Sequence, residues 1–206
     1  NWCDHAVLEL KAAVENSDLI ILCTPVDIII EQLAEISKWI KPHCLVTDIG
    51  SLKNEICRAA DEIDVNNSGN FVGSHPMAGS ENSGMEFGNP GILKGKNCIV
   101  TPTLKSKKEN TKKIELIWEK LEMSVSKMSP LKHDEVVSWI SHLPHAISTI
   151  LMCSLSRIEK NWLSLSGNGL RDTTRIAAGN PEMWKKILHG NKENLISGID
   201  EIEKQL

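Results

Sequence analysis

Short apolar runs alternate with segments of helical period over the first 130 residues, and this alternation constrains the fold more than any other feature. The runs have strand length, are rich in β-branched residues and end in Pro or Ser. They cover residues 18–25, 44–51, 71–76 and 97–102, with a weaker fifth run at 123–130. Continuously apolar strands that alternate with helices indicate a parallel sheet covered on both faces. The sequence therefore predicts the α/β class, with a partial Rossmann-like parallel sheet and flanking helices.

Helices are predicted between these runs because apolar residues recur there every three or four positions. Ser51 is a favourable N-cap for one helix, and Ser106 with Glu109 has the spacing of a capping box for another. The predicted helical segments are 27–40, 51–63 and 106–123.

No strand-like run follows residue 130, so the rest of the chain is predicted to be helical. Ser129 and Pro130 have the N-cap and first-turn pattern of a helix start, and Asn180-Pro181 repeats it. The first of these helices is expected to run for about 20 residues with an interruption at Pro144. We therefore divide the chain into an α/β domain, residues 1–129, and an all-helical domain, residues 130–206.

The composition is that of a globular protein, with 41% hydrophobic and 24% charged residues and a formal net charge of −4. A net negative charge gives no reason to expect nucleic acid as a partner, and no apolar run is long enough to predict a membrane span. The six cysteines are scattered without a CxxC pair, which is typical of buried free thiols in a reducing cytosol. We expect a cytoplasmic protein that binds neither nucleic acid nor membrane.

Polar and special residues stand where the predicted strands end, and ligands of open parallel sheets bind outside those ends. Thr24 with Pro25 follows the first run, and Gly50 with Ser51 follows the second, where a helix N-terminus would present its N–H groups. His75 ends the third run, and Thr101 with Pro102 ends the fourth. The pattern predicts that all four strand ends meet at one edge, although a single loop histidine is most often ordinary surface.

The helical half contains two further polar clusters. Ser141, His142 and His145 have spacings that place them on one helical face, as an HxxH metal site or as packed histidines at a helix crossing. The HxxH pair has no third ligand at helical spacing, and we expect no metal. In the second cluster Asp172 and Arg175 form either an intrahelical ion pair or, through Arg175, a clamp for a carboxylate.

Five motifs in this order carry a resemblance to a known family. The stretches TPV, TDIGSLK, GSHPMAGSENSG, SHLPH and RDTTRIAAGNPEMW resemble those of prephenate/arogenate dehydrogenases of tyrosine biosynthesis. The resemblance implies a Rossmann domain joined to a helical dimerisation domain, with the active site in the cleft between them. It also implies oxidative decarboxylation of a small anionic substrate, prephenate or arogenate, with NAD or NADP, by a homodimer.

The resemblance also assigns roles to individual residues. His75 is expected to accept the proton of the substrate's ring hydroxyl, with Ser51 supporting it, and Arg175 is expected to bind a substrate carboxylate. The other substrate-side residues are His145, Ser141, Glu81, Asp172 and Trp184. The cofactor-side residues are Thr24, Pro25, Asp48 and Gly50.

The G-x-G-x-x-G turn that opens a complete dinucleotide-binding domain does not occur in this sequence. The run at 18–25 resembles the family's fourth strand, so we expect the chain to begin inside the cofactor domain, about 30 or more residues into it. We also expect the helical domain to continue beyond Leu206, and apolar sheet edges to be exposed unless a partner covers them. Two alternatives stay open: a non-catalytic binding or dimerisation module of the same fold, and a dehydrogenase for β-hydroxy acids.

Overall fold

The computed structural model describes residues 3–63, 69–79 and 87–205. All five predicted runs form strands, and these strands make one sheet in the order β1-β2-β3-β4-β5. The strands are β1 Leu19–Leu22, β2 Leu45–Asp48, β3 Phe71–Pro76, β4 Asn97–Pro102 and β5 Ser124–Lys127. The α-helices are α1 Leu10–Val14, α2 Val26–Ile36, α3 Asn54–Ile63, α4 Lys108–Lys120, α5 Pro130–Val137, α6 Leu143–Leu155, α7 Lys160–Leu163, α8 Asn168–Thr174, α9 Pro181–Gly190 and α10 Lys192–Glu203.

The predicted α/β class, with a partial Rossmann-like sheet and flanking helices, is confirmed, although the sheet is mixed because one of its strand pairs is antiparallel. Strands β1, β2 and β3 are parallel, β4 is antiparallel to β3, and β5 is parallel to β4. A parallel neighbour requires a crossover over the sheet face, usually a helix. In the described part of the β3–β4 connection the structure contains 3₁₀ conformation, including the helix Pro90–Ile92, and no α-helix.

The reversal of β4 moves its end away from the ends of the first three strands. Thr101 lies opposite Gly73 and Pro102 opposite Val72, whereas His75 lies opposite Ile99. Thr101 and Pro102 are therefore near the beginning of β3 and not near His75. The prediction that four strand ends share one edge is wrong for the fourth strand and holds for the first three.

Two apolar clusters cover the two faces of the sheet. Leu33 and Ile36 of α2 are fully buried in the cluster that contains Val46, whereas Ile114 of α4 is fully buried in the cluster that contains Leu45. Since adjacent strand residues point to opposite faces, the successive residues 45 and 46 show that both faces are covered. On the edge strand β1, Leu19 and Ile21 remain 37% exposed.

Two of the predicted helix starts are confirmed. The Ser129 Oγ accepts a hydrogen bond from the Lys132 N–H at 3.2 Å, and the Asn180 Oδ1 accepts bonds from the N–H groups of Glu182 at 3.0 Å and Met183 at 3.2 Å. Each cap satisfies backbone donors that a helix leaves without an internal partner.

The other two predicted caps are wrong. Helix α3 begins at Asn54 and not after Ser51, because Lys53 first turns into the core. Helix α4 begins at Lys108, and the Ser106 hydroxyl instead donates a hydrogen bond to the Phe71 carbonyl at 2.6 Å.

The chain divides into two compact units. Among the described residues, the first consists of those up to Ala78 together with Asn89–His133, and the second consists of those from Asp134 onward together with Gly79, Phe87 and Gly88. The second unit is helical throughout its regular structure in the described residues, as predicted.

Pro144 does not end the helix that precedes it. A π-helical turn, Ser138–His142, precedes the proline, and the chain stays helical from Pro130 to Leu155. Proline removes a backbone donor and crowds the carbonyl four residues before it, and a wider turn accommodates both effects. By length and apolar composition alone this stretch would be long enough to cross a membrane, but it buries His133, Asp134 and His145 inside the protein.

Candidate functional site

His75 lies at the carboxyl end of β3 and contacts a second histidine of the first unit. The Nδ1 of His75 is 2.8 Å from the Nε2 of His133, with the two ring centroids 5.1 Å apart. His75 is half-buried, whereas His133 is fully buried. The start of α5 positions His133, whose N–H donates to the Ser129 carbonyl at 2.9 Å in the first helical turn.

A buried ion pair, Asp48–Lys53, bonds to the main chain of Ser74, the residue before His75. Asp48 and Lys53 are both 0% exposed, and the Lys53 Nζ donates to the Asp48 Oδ2. The same Nζ donates to the Ser74 carbonyl at 2.9 Å, and the Ser74 N–H donates to the Asp48 Oδ1 at 3.3 Å. The Thr47 and Ser74 hydroxyls also bond to each other. This polar network joins the end of β2 to β3 immediately before His75.

The predicted cofactor residues lie where β1 and β2 end side by side, with Leu22 paired to Asp48. Thr24 is half-buried and its Oγ1 donates to the Gln32 Oε1 at 2.7 Å, whereas Pro25 is exposed and precedes α2. Gly50 is buried, and a Cβ there would lie 2.7 Å from the Ile56 Cδ1.

Asp48 points into the protein. Besides the bonds to Lys53 and Ser74, its Oδ2 accepts a bond from the Gly50 N–H at 2.8 Å. The structure thus shows Asp48 holding the loop after β2, and its predicted contact with a cofactor stays a prediction. Ser51 is half-buried in that loop, at the same edge of the sheet as His75.

In the second unit, His145 and Trp184 form a stacked pair. Their ring centroids are 3.5 Å apart with an interplanar angle of 13°, and Trp184 is half-buried. Gly179 packs directly against both rings. A Cβ at this position would lie 2.5 Å from the Trp184 Nε1 and 3.3 Å from the His145 Nε2. Burial lowers the pKa of His145, an effect that the Ile176 backbone partly offsets. A neutral, flat aromatic surface is therefore built into this unit.

The first histidine of the SHLPH motif has a structural role. His142 is buried, and its Nδ1 is 3.0 Å from the Asn191 Nδ2, which donates to the Asp134 carbonyl at 2.7 Å. His142 also meets the edge of the Trp184 ring at 6.2 Å, so His142 and His145 share a helical face, as the spacing predicts. Ser141 is only half-buried. In the residues that the structure describes, no three metal-ligating side chains come together.

The predicted carboxylate-binding residue stands on the surface of the second unit. Arg175 begins the 3₁₀ helix Arg175–Ala178 directly after α8 and is exposed, as is Asp172. No ion pair joins Asp172 to Arg171 or Arg175 across the described ranges, so the alternative of an intrahelical pair is not realised there. Glu81, the remaining predicted substrate residue, lies outside the described residues.

Sequence reasoning missed two residues of the first unit, His133 and Lys53. The pattern Ser129-Pro130 placed a helix start just before His133, but nothing in the sequence shows that this imidazole faces a residue 58 positions earlier. Lys53 stands in the motif TDIGSLK, but its sequence gives no signal of its complete burial, since lysine is almost never fully buried.

A three-layered α/β unit with polar groups at its parallel strand ends, followed by a helical unit, is the architecture of nucleotide-dependent dehydrogenases that use two domains. Residues 3–127 match the family model "Prephenate dehydrogenase, nucleotide-binding domain", and residues 129–206 match "Prephenate dehydrogenase, dimerization domain". The chain belongs to the prephenate dehydrogenase family.

Curated relatives agree with this assignment. The chain is 32% identical to the prephenate dehydrogenase of Bacillus subtilis over 92% of its own length and 52% of that protein. It is 30% identical to the cyclohexadienyl dehydrogenase of Zymomonas mobilis over 97% of its own length and 69% of that protein. The chain thus spans about half to two thirds of the length of these relatives.

Solved structures show the same fold. Prephenate dehydrogenase from Aquifex aeolicus, in complex with hydroxyphenyl propionate and NAD⁺, is similar with a TM-score of 0.86 and 35% identity, over 95% of this chain and 69% of that one. Synechocystis arogenate dehydrogenase is similar with a TM-score of 0.82 and 27% identity, over 96% of this chain and 71% of that one.

Proposed function

We propose that the protein oxidatively decarboxylates prephenate or arogenate with transfer of a hydride to NAD or NADP, in tyrosine biosynthesis. Residues 1–129 would form the dinucleotide-binding domain, and residues 130–206 the substrate and dimerisation domain. The observation that carries the proposal is the half-buried imidazole of His75 at a parallel strand end, in a chain whose two halves match the two family models in series.

The loops after β1 and β2 fit a neutral part of the proposed cofactor. Residues 23–25 and 49–51 carry no charged side chain, and Gly50 leaves no room for a Cβ beside Ile56. Such loops suit a flat, uncharged ring, for which Thr24 and Pro25 are the proposed contacts. When bound, NAD(P)⁺ supplies the acceptor for the hydride.

His75 is the proposed general base. The hydrogen on the ring carbon that bears the hydroxyl leaves as a hydride, while the hydroxyl proton passes to the His75 imidazole and a C=O bond forms. The bond from the ring to the carboxylate then breaks to release CO₂, and its electron pair makes the ring aromatic while the C=O becomes a phenolate oxygen, which takes a proton back from the His75 imidazolium. Imidazole has an ordinary pKa of about 6.5, which suits proton transfer near neutral pH. Ser51 is proposed to bond the same hydroxyl and His75.

The second unit is proposed to hold the rest of the substrate. Arg175 is exposed and its guanidinium can bind a carboxylate through two parallel hydrogen bonds. The stacked His145 and Trp184 rings offer an uncharged surface to an apolar ring, and Ser141, Asp172 and Glu81 complete the proposed set. Since the net charge of −4 does not attract an anion, such a local cation is needed.

We further propose a cytoplasmic homodimer that forms through residues 130–206. The match to a dimerisation domain supports this proposal, as do the exposed apolar side chains Trp139, Ile140, Ile147 and Ile150. Exposed apolar residues grouped on one helix favour burial against a partner.

The proposal is tested by following reduction of NAD⁺ and NADP⁺ with prephenate and with arogenate. We expect His75→Asn to lower kcat by about 10²- to 10⁴-fold with little change in cofactor affinity. The matched control is His43→Asn, which alters an exposed histidine in the loop before β2. We expect Arg175→Ala to act mainly by raising the substrate KM, with Arg58→Ala on the exposed face of α3 as its control.

Three outcomes would contradict the proposal. Near-full turnover of His75→Asn would show that another group is the base. Binding of cofactor and prephenate in a calorimeter without product formation would favour the non-catalytic module. Turnover of a β-hydroxy acid, with none of prephenate or arogenate, would favour the other class of dehydrogenase.

A further inference from the structure

The His75–His133 contact carries an inference that deepens the proposed function and rests on it. Both residues belong to the first unit, and their facing nitrogens, Nδ1 of His75 and Nε2 of His133, are 2.8 Å apart. That distance is a full hydrogen bond. A fully buried polar ring such as His133 is costly unless its nitrogens are bonded, so the contact is part of the folded structure.

The position of the single proton in this contact decides which nitrogen of His75 can act as a base. A neutral imidazole carries one N–H, and only one proton fits between two facing nitrogens. If His75 is to take the substrate proton at Nε2, that nitrogen must carry no proton beforehand. The proton of neutral His75 is then on Nδ1, and the Nε2 of His133 is the acceptor.

We propose that His133 is a positioning residue, which holds His75 in the tautomer with the proton on Nδ1 and holds its ring in the plane that directs Nε2 at the substrate hydroxyl. His133 itself is then protonated on Nδ1. When His75 becomes an imidazolium, its Nδ1–H bond to His133 becomes charge-assisted and stronger, so the contact favours the transition state over the ground state.

The surroundings of His75 support a fixed ring. Its main chain follows Ser74, which is held by the Asp48–Lys53 pair, and its strand partner is Ile99 of β4. The titratable side chains next to His75 on the neighbouring strands β2 and β4 and on the loop after β2 are Asp48, Cys98 and Lys53. Burial raises the pKa of the Cys98 thiol to about 12. Cys98 therefore stays protonated at neutral pH, and His133 is the group whose ring faces the Nδ1 of His75.

The direct test is ¹⁵N NMR of the protein labelled in its histidine rings. At a pH where His75 is neutral, we expect its Nδ1 to carry the proton. His75→Asn identifies the signal. The reading does not depend on activity, so it stands even if the proposed reaction is wrong. A wild-type His75 with its proton on Nε2 would overturn the inference.

Two substitutions then test the consequence. His133→Leu replaces the imidazole with an apolar side chain of similar bulk that cannot accept a hydrogen bond. His133→Gln supplies an amide oxygen that can accept the hydrogen bond from the His75 Nδ1–H. We expect His133→Leu to lower kcat by roughly 10- to 100-fold, the range typical of partners that orient metal-binding histidines, with substrate KM and cofactor affinity nearly unchanged. We expect His133→Gln to restore most of the rate.

The controls separate positioning from loss of structure. Trp118→Phe alters a buried residue in the same unit, in the apolar cluster that contains Leu45 and Ile114. We expect it to reduce stability without changing kcat or the His75 tautomer. Retention of full kcat by His133→Leu, in a protein that His75→Asn inactivates, would refute the inference and leave the proposed function intact. If His133→Leu does not fold, the wild-type tautomer and the glutamine variant decide.

Discussion

Removal of the Lys53 ammonium is predicted to destabilise the first unit strongly. Lys53 and Asp48 are both 0% exposed, and Lys53→Met keeps most of the side-chain volume while leaving the Asp48 carboxylate buried without its counter-ion. Breaking a buried ion pair from one side costs about 3–5 kcal/mol. The total stability of a domain is roughly 5–15 kcal/mol, so this loss is a large fraction of it.

The contacts of the ammonium lead to the same magnitude. Its Nζ donates to the Asp48 Oδ2 and, at 2.9 Å, to the Ser74 carbonyl. A hydrogen bond that involves a charged group contributes about 1.5–3 kcal/mol, and two such bonds give about 3–6 kcal/mol. Because the double variant Asp48→Asn/Lys53→Met removes both charges, we expect it to be more stable than Lys53→Met by about 1–3 kcal/mol.

Urea denaturation followed by tryptophan fluorescence measures these differences, with Trp39 and Trp118 as reporters that pack in the two clusters of the first unit. The matched control is Lys41→Met, whose ammonium lies 4.0 Å from the exposed Asp18 carboxylate. We expect that control to change the free energy of unfolding by less than about 1 kcal/mol. A Lys53→Met protein as stable as the control would refute the reasoning.

Three further predictions concern thiol reactivity and the stacked pair. Cys23 and Cys153 are both exposed, but desolvation of the Cys23 thiol, and secondarily the charge of Asp48, raise its pKa, so iodoacetamide should modify Cys23 more slowly than Cys153 in a mass-spectrometric time course; equal rates would contradict this. Gly179→Ala places a Cβ 2.5 Å from the Trp184 Nε1, and we expect a higher substrate KM and a loss of stability of about 1–3 kcal/mol; an unchanged KM would count against the proposed site. Burial lowers the pKa of His145, so the unfolded chain binds this proton at a higher pH than the folded one. Stability should therefore fall as pH drops below about 6.5, and His145→Phe should flatten that fall in urea titrations at several pH values.

Features that depend on local pattern were predictable from the sequence. Strand β3 has the same bounds as the predicted run at 71–76, because a His-Pro end follows apolar and small residues there. The side chains of Ser129 and Asn180 cap helices at the Ser-Pro and Asn-Pro pairs, as those pairs predict. These features require interactions over only a few positions.

Features that depend on the path of the chain were not predictable. The period of a strand is the same in both directions, so the antiparallel β4 could not be distinguished from a parallel one. The inward turn of Asp48 depends on Lys53, whose burial contradicts the usual preference of lysine for water. The acceptor opposite His75 is supplied by α5, 58 residues further on, through tertiary packing alone.

The buried charges of Asp48 and Lys53 and the His75–His133 pair all hold the same end of β3. An apolar pair in place of the two charges would keep stability but would lose their hydrogen bonds to that strand end. Relative to well-packed apolar residues, a buried ion pair contributes little net stability, so its effect is expected in geometry. Lys53 bonds the carbonyl of Ser74, which fixes the main chain one residue before His75, while His133 fixes the ring. A general base misplaced by about 1 Å loses on the order of 10²-fold in rate. The double variant Asp48→Asn/Lys53→Met separates the two effects: we expect it to regain stability relative to Lys53→Met without regaining kcat. Parallel recovery of both quantities would show that the pair serves stability alone.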